Sequence, residues 1–234
     1  MEAKSINAEL ASYTAKLFRD NFGKGPQSVY VSIEHPFVTI YLRDFLAPME
    51  RVLVRQENFM KIEETRDCLM QELIPEIKAT LRVTAKINID NIYYDWSIKN
   101  RTGLLVGVIT EDNDEELKSF SDYPQKQRVH DEIIKMSKQA EKAPEEVDSL
   151  YLNSRTLVVK RSGILVEIEK EFIRSGFTES LRLSKRKLEK GMLDPGTFEE
   201  ILGLNVLDIF VDWDFHFDIS YITFILKPQK KNSF

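Results

Sequence analysis

The chain has 234 residues, of which 42% are hydrophobic and 30% are charged, so it can bury a core and does not fall in the disordered class. At about 100–200 residues per domain, this length allows one large domain or two small ones. The net charge is −5, and the acidic excess lies in residues 111–124 between two neutral halves, which argues against the broad positive surface that nucleic acids and anionic lipids require.

Apolar periodicity in the first half predicts seven elements. In chain order they are a helix over 5–21, strands around 29–33 and 38–42, a short helix from Pro48, a long helix over 59–81, and strands over 86–96 and 103–110. Gly23-Lys24-Gly25-Pro26 ends the first helix, because glycine suits a helix C-terminus and proline prevents continuation. Pro75 removes a backbone hydrogen bond and should kink or split the long helix.

The second half repeats this order at nearly constant spacing. Its predicted elements are a helix over 125–140, strands over 147–153 and 156–161, helices over 165–174 and 177–191, and strands over 205–214 and 219–227. Trp96 and Trp213 both follow aspartate and lie 117 positions apart, while Glu50 and Glu169 lie 119 apart. A period this long predicts a duplicated domain rather than a solenoid.

The duplication predicts both the domain boundaries and the fold class. We expect domains at 1–110 and 125–234, joined by an acidic linker over 111–124 whose charge makes burial costly. Each copy has the element order αββααββ, which is typical of an α+β fold with an antiparallel sheet and helices packed on one face. One such layer leaves a sheet face or an edge open, so we expect the copies to cover each other as a pseudo-two-fold pair.

The cysteine content and the apolar runs indicate the compartment. A single cysteine, Cys68, excludes an internal disulfide. Because it lies in a helical pattern, we predict a small, buried hydrophobic side chain. The N-terminal residues form no apolar signal, and no run approaches the ~18 apolar residues of a membrane span. We therefore expect a soluble cytoplasmic protein that is not inserted in a membrane.

The loop Gly23-Lys24-Gly25-Pro26 is the first candidate site. Glycines let backbone N–H groups approach an anion, and Lys24 adds positive charge. However, a phosphate loop follows a strand and opens a helix, whereas here the order is helix, loop, strand. The second copy has Glu141-Lys142-Ala143-Pro144 instead. A helix stop and turn is the simpler interpretation, and an anion or partner site is the alternative.

Charged residues at equivalent positions form a second candidate. Glu50 and Arg66 lie on successive helices, and Glu169 and Lys185 occupy the same places in the second copy. We predict a salt bridge between the helices in each copy. A shared ligand-binding or catalytic role is the alternative, because paired charges also tune a site.

Other polar patterns have plainer interpretations. Asp212, Asp214, His216 and Asp218 alternate with apolar residues, which suggests a metal site or, more simply, a turn. The second copy contains a basic stretch of helix, for which a solvated helix face is the simplest interpretation. The alternatives are that it binds an acidic partner, the acidic linker or the acidic helix of the first copy. The stretch comprises Arg182, Lys185, Arg186, Lys187 and Lys190. No nucleophile elbow, zinc pair or dinucleotide motif is present, so we predict no catalytic residue, no metal and no cofactor.

Three segments of the first copy carry a family resemblance. They are Leu17-Phe18-Arg19-Asp20-Asn21-Phe22-Gly23-Lys24-Gly25-Pro26 before a strand, Leu46-Ala47-Pro48-Met49-Glu50-Arg51-Val52-Leu53, and Thr65-Arg66-Asp67 on the next helix. Together they resemble the bacterial MpsC family, a domain of about 110–120 residues named for a sodium-translocating, membrane-potential-generating system. The second copy departs from these motifs. The resemblance implies that a ligand site would survive in the first copy alone, at Gly23, Lys24, Gly25, Glu50 and Arg66.

Two functions from different classes follow. The resemblance implies a non-enzymatic accessory or regulatory module with a protein partner, such as a membrane ion or bicarbonate transport complex, and a homodimer is a further arrangement. The alternative is a small-anion-binding protein or weak enzyme that uses the Gly23–Pro26 loop. The sequence leaves open whether the protein is an enzyme, and the absence of a reaction motif favours a protein without enzymatic activity.

Overall fold

A computed structural model describes residues 2–110 and 121–228 of the chain. These residues form two structural units, Met1–Glu115 (unit 1) and Glu116–Phe234 (unit 2). Most of the predicted acidic linker over 111–124 lies outside the described residues.

Unit 1 contains the seven elements that periodicity predicts. They are α1 (Glu2–Phe22), β1 (Ser28–Glu34), β2 (Phe37–Arg43), α2 (Pro48–Arg55), α3 (Phe59–Ala85), β3 (Asn88–Ser97) and β4 (Thr102–Thr110). The helix α3 continues through Pro75 without a break, so the predicted split is wrong. The strands form an antiparallel sheet in the order β1-β2-β4-β3.

Unit 2 repeats the same sheet and adds one helix. Its elements are α4 (Lys126–Ala140), β5 (Glu146–Asn153), β6 (Thr156–Ser162), α5 (Glu167–Arg174), α6 (Thr178–Met192), α7 (Pro195–Leu202), β7 (Val206–Asp214) and β8 (Ile219–Leu226). The strand order is β5-β6-β8-β7, again antiparallel. Periodicity did not predict α7. It begins at Pro195, and the Asp194 carboxylate accepts hydrogen bonds from the next two free backbone N–H groups.

Strand registers show that the two units are copies of one fold. Trp96 on β3 faces Gly103 on β4, and Trp213 on β7 faces Ser220 on β8. Gly103 also pairs with Leu42 on β2, and Ser220 pairs with Arg161 on β6. The α+β class with two tandem copies is therefore confirmed. It also follows that Leu42 and Arg161 occupy the same structural position, 119 residues apart.

In each unit one face of the sheet packs against the helices to form the core. In unit 1, Val38 and Ile40 of β2 contribute to an apolar cluster with Leu17 of α1 and Leu73 and Ile77 of α3. Unit 2 has an equivalent cluster that includes Val159, Met136 and Trp213. The candidate site of each unit lies where α2 and α3, or α5 and α6, meet this core.

Candidate functional site

A buried ion pair connects the short and the long helix of unit 1. Arg66 on α3 donates from Nε to Glu50 Oε1 over 2.7 Å and from Nη2 to Glu50 Oε2 over 2.8 Å. The Arg66 side chain is fully buried, and the Glu50 side chain is only 11% exposed. This forked geometry is the strong form of a charged hydrogen bond. The predicted salt bridge between Glu50 and Arg66 is therefore present.

Glu50 also orients the helix on which it lies. It is the third residue of α2, and its Oε2 atom accepts a hydrogen bond from the backbone N–H of Ala47 over 2.7 Å. Ala47 has no side-chain acceptor of its own, so Glu50 supplies the return bond of a helix cap. One carboxylate thus caps α2 and binds α2 to α3.

The Arg66 guanidinium lies among aromatic rings. Its Cζ atom is 4.4 Å from the ring centre of Phe45 and 4.8 Å from that of Trp96. Phe18 and Phe22 of α1 pack in turn on the Phe45 ring, at centroid distances of 5.4 and 5.1 Å. These contacts leave Arg66 without exposed surface to offer a ligand.

Both tryptophans anchor their sheet to a carboxylate on the long helix. Trp96 Nε1 donates to Asp67 Oδ1 over 3.2 Å, and Trp213 Nε1 donates to Glu189 Oε1 over 3.3 Å. A buried indole N–H needs such an acceptor. These contacts attach the final hairpin of unit 1 to α3 and that of unit 2 to α6.

The Gly23–Pro26 loop lies at the C-terminal end of α1. Gly23 has φ +72°, which suits a helix stop, and a Cβ on Gly25 would lie 2.6 Å from the Ala15 carbonyl oxygen. Both glycines therefore have structural reasons to be there. Within the described residues, no hydrogen bond or ion pair joins Lys24 to Glu50 or Arg66. A helix C-terminus carries partial negative charge, which opposes an anion, and the anion site stays a prediction.

Unit 2 places a larger charge cluster at the same structural position. Lys185 Nζ on α6 lies 2.8 Å from Glu169 Oε1 and 3.5 Å from Glu189 Oε1, and it also donates to Glu141 Oε2. Arg161 Nη2 on β6 donates to Glu189 Oε2 over 2.5 Å. We call these five residues the unit 2 charge cluster. The predicted pair of Glu169 and Lys185 is present within it.

Two hydroxyl groups complete the hydrogen bonding of Arg161. Its Nε atom donates to Ser220 Oγ over 2.8 Å, and Nη1 donates to Ser137 Oγ over 2.9 Å. All three guanidinium nitrogens of Arg161 therefore have partners, as a buried charge requires.

Glu169 repeats the capping role of Glu50, because its Oε2 atom accepts from the backbone N–H of Val166 over 3.0 Å.

Three members of the unit 2 charge cluster replace apolar residues of unit 1. At the offset of 119, Arg161 stands for Leu42, Glu189 for Met70, and Glu141 for Phe22. Leu42 and Met70 are both fully buried in the unit 1 core. Sequence reasoning missed Arg161, Glu189 and Glu141, although applying the same offset to every charged residue of the second copy would have found them.

Burial and crowding shift the titration of the cluster. Burial raises the pKa of the Glu141 carboxyl to about 7, and the Glu169 carboxylate adds to this rise while Lys185 opposes it. Burial by itself lowers the pKa of the Lys185 ammonium group. The carboxylates of Glu189, Glu141 and Glu169 have a larger, opposite effect, so the pKa of this group is raised. Lys185 therefore stays charged near neutral pH, whereas Glu141 changes charge there.

The basic stretch on α6 is not the solvated face that we predicted. Lys185 and Arg186 are buried, and Arg182 is half-buried against Asp212. Lys187 points to solvent. The prediction is wrong because the acidic partners come from distant elements of unit 2, and these make burial of cations tolerable.

Cys68 is exposed, so the prediction of a buried side chain is also wrong. It lies two positions after Arg66 on α3, and two positions turn a helix by roughly half a revolution. Arg66, Asp67 and Met70 form the buried side of this segment. The apolar pattern of the segment did not indicate that its buried side carries the charged residues Arg66 and Asp67.

The predicted turn is present over 215–218, whereas Asp212 and Asp214 lie on β7. Asp214 Oδ1 accepts from the backbone N–H groups of His216 and Phe217, and Asp218 Oδ1 accepts from those of Ile164 and Leu165. No group of three or more His, Cys, Asp or Glu side chains within 2–110 and 121–228 is arranged to hold a metal ion.

A serine–histidine contact in unit 2 was not predicted. His130 Nε2 lies 2.8 Å from Ser149 Oγ, which also lies 2.7 Å from the Tyr123 hydroxyl oxygen. This pairing is the kind that activates a nucleophile. Ser149, however, has no exposed surface, so its Oγ atom is closed to a substrate. The contact therefore serves packing in the described structure.

The comparisons with known proteins give one family. The family described as "Na+-translocating membrane potential-generating system (MpsC)" matches residues 2–111 and again residues 125–228. No curated protein matches the chain, and no solved structure does. In the described part of the chain, no helix has both the length and the apolar content that crossing a membrane demands. The two matches confirm the resemblance and its tandem arrangement.

Proposed function

This chain belongs to the MpsC family, and we propose that it is a non-enzymatic accessory module that docks on a membrane ion-transport system. The family's description names a Na+-translocating, membrane potential-generating system, which supports the link to ion transport. The docking role is argued from the surface of the short helices α2 and α5.

The short helix of each unit buries one glutamate and exposes the large apolar side chain that precedes it, whereas Leu53 and Val54 of α2 and Ile173 of α5 are half-buried against the core. In α2 the one buried residue is Glu50, whereas Met49 is 80% exposed and Val52 is 48% exposed. In α5 the one buried residue is Glu169, whereas Ile168 is 63% exposed. Met49 and Ile168 occupy equivalent positions at the offset of 119. This inverted arrangement is the observation that carries the proposal.

Two more apolar side chains are exposed at the start of α3, the next helix along the chain. Phe59 and Met60, which begin α3, are 41% and 49% exposed. Exposed apolar side chains that occur in groups mark interaction sites more often than isolated ones do, and Met is common at adaptable binding surfaces. The buried pair of Glu50 and Arg66 holds α2 in the orientation that presents Met49 and Val52. We call Met49, Val52, Phe59 and Met60 the unit 1 apolar surface.

The charged groups of the candidate site support an internal role rather than catalysis. Arg66 is fully buried and paired with Glu50, and the members of the unit 2 charge cluster bind one another. Catalytic acids and bases must reach a substrate, and Ser149 beside His130 is fully buried. These contacts favour an interaction module over an enzyme.

Changing the unit 1 apolar surface should abolish partner capture. The double variant Met49→Ser, Val52→Ser removes exposed apolar area without touching the buried pair, so it should fold and lose at least tenfold in recovery of the partner. The measurement is affinity purification of the tagged full chain from detergent-solubilised membranes of its own species, followed by mass spectrometry.

Val83→Ser is the matched control, because Val83 is an apolar side chain on α3 that is 68% exposed and lies 24 positions from Phe59. It should recover the same membrane protein as the unmodified chain. Equal recovery by the double variant would contradict the proposal. Self-association in light scattering that is lost in the same double variant would replace the membrane partner with a second copy of the chain.

A further inference from the structure

We propose that unit 2 contains a proton-binding site at the end of α4, where Glu141, Glu169 and Glu189 surround the ammonium group of Lys185, and that the bound proton strengthens the attachment of α4 to α5 and α6. The inference goes beyond the docking role and does not depend on it. It rests on the geometry and charge of the unit 2 charge cluster.

The cluster has one negative charge too many for its cations. Within residues 2–110 and 121–228, the ion pairs of three carboxylates, which follow α4 or lie on α5 and α6, are with Lys185 and Arg161. Lys185 and Arg161 have side chains that are 1% exposed, and Glu189 is 3% exposed. An excess charge in such an environment has little water to stabilise it. One proton on a carboxylate balances the cluster.

Glu141 is the carboxylate best placed to take the proton. Glu169 also accepts the Val166 N–H, and Glu189 also accepts from Arg161 and from Trp213 Nε1. Glu141 depends on Lys185, which all three acids share. It is also the C-cap residue directly after α4, where the negative end of the helix dipole disfavours a carboxylate. Its side chain is 16% exposed, which gives the proton a path to solvent.

The charges around Glu141 determine the sign of the effect. The groups that face it are Glu169 from α5, Lys185 and Glu189 from α6, and Arg161 from β6 through Glu189. Burial together with Glu169 raises the pKa of Glu141 from 4.5 to about 7. A raised pKa in the folded state means that the stabilisation is fully present below about pH 4.5 and is lost as pH rises through about 7.

Unit 1 does not have this site. Its residue equivalent to Glu141 is Phe22, whose ring stacks on Phe18 at a centroid distance of 5.3 Å. The same helix end is therefore held by aromatic packing in unit 1 and by a titratable contact in unit 2. We infer that this titration acts on the attachment of α4 and has no counterpart at the end of α1.

The direct test is a carbon-13 NMR titration of the glutamate carboxyl groups in the full chain from pH 4 to 9. One resonance should titrate with a midpoint near pH 7 and should be absent from the spectrum of Glu141→Gln. If every glutamate carboxyl in the unmodified chain titrates at ordinary values near pH 4.5, the proposal is overturned. This measurement decides the matter even if the variant fails to fold.

Hydrogen exchange tests the effect on α4. After correction for intrinsic rates, protection of the amides over 137–141 should fall at least threefold between pH 6 and pH 8 in the unmodified chain. Glu141→Gln should show no such change. Glu145→Gln is the matched control, because Glu145 lies nearby with a side chain that is 75% exposed, and it should behave like the unmodified chain. Constant protection in the unmodified chain would overturn the role of the proton in attachment.

Discussion

The variant Glu50→Gln is expected to lower the unfolding free energy by about 3–5 kcal/mol, because it leaves the fully buried Arg66 guanidinium without a counter-charge. The amide still fills the space and still offers an oxygen to the Ala47 N–H, so packing and capping are largely kept. The loss therefore reports the charge together with one hydrogen bond, because the amide NH2 group cannot accept from the Arg66 Nε–H as Oε1 does. Urea denaturation of the full chain, followed by tryptophan fluorescence and circular dichroism, measures it.

Glu64→Gln provides the control for this prediction. Glu64 forms an ion pair with Lys61 at 2.8 Å, and both side chains are more than half exposed. Exposed pairs of this kind contribute roughly 0–1 kcal/mol, so the control should leave the denaturation midpoint nearly unchanged. Equal effects of Glu50→Gln and Glu64→Gln would show that the buried pair does not hold α2 to α3.

The second large effect is expected in the unit 2 charge cluster. Arg161→Leu leaves the buried Glu189 with Lys185 at 3.5 Å in place of its 2.5 Å partner, and Glu189→Met leaves the buried Arg161 without its direct counter-charge. Each single variant should lose about 3–5 kcal/mol of unfolding free energy. Both replacements are the residues that unit 1 carries at the same positions, Leu42 and Met70.

The double variant should recover much of this loss. Together the two replacements restore the apolar pair that unit 1 already packs in its core, and a hydrophobic pair of similar volume often replaces a buried ion pair without cost. Recovery should be incomplete, because Trp213 Nε1 loses its acceptor when Glu189 is replaced. A double-mutant cycle measures the coupling. Losses that simply add would contradict the direct pairing of Arg161 with Glu189.

Periodicity and internal repetition predicted most of the fold. Alternation in β2 and helical spacing in α1 depend on local patterns of apolar residues, and these patterns survive in both copies. The salt bridges were found because Glu50 and Arg66 recur as Glu169 and Lys185 at one offset. A charged pair that recurs at a fixed spacing is a stronger signal than either residue alone.

The rest depended on contacts between distant parts of the chain. The burial of Lys185 was missed because its helix has the pattern of a solvated basic face, and its partners Glu141 and Glu169 lie far from it in the sequence. Arg182 likewise pairs with the distant Asp212. The helix α7 was missed although Phe198, Ile201 and Leu202 have helical spacing and the segment is flanked by Asp194-Pro195 and Gly203. The exposure of Met49 and Val52 on α2 was not predicted, because apolar side chains at their spacing are typical of a core and a glutamate such as Glu50 is not.

Both copies keep one core built around a tryptophan that binds the long helix. Hydrogen exchange of the two indole N–H groups, measured by nitrogen-15 NMR, is the test of this shared core. Two slowly exchanging indole signals are expected, with Asp67→Asn perturbing that of Trp96 and Glu189→Gln perturbing that of Trp213. An indole that exchanges at the rate of free tryptophan would contradict the claim for its unit.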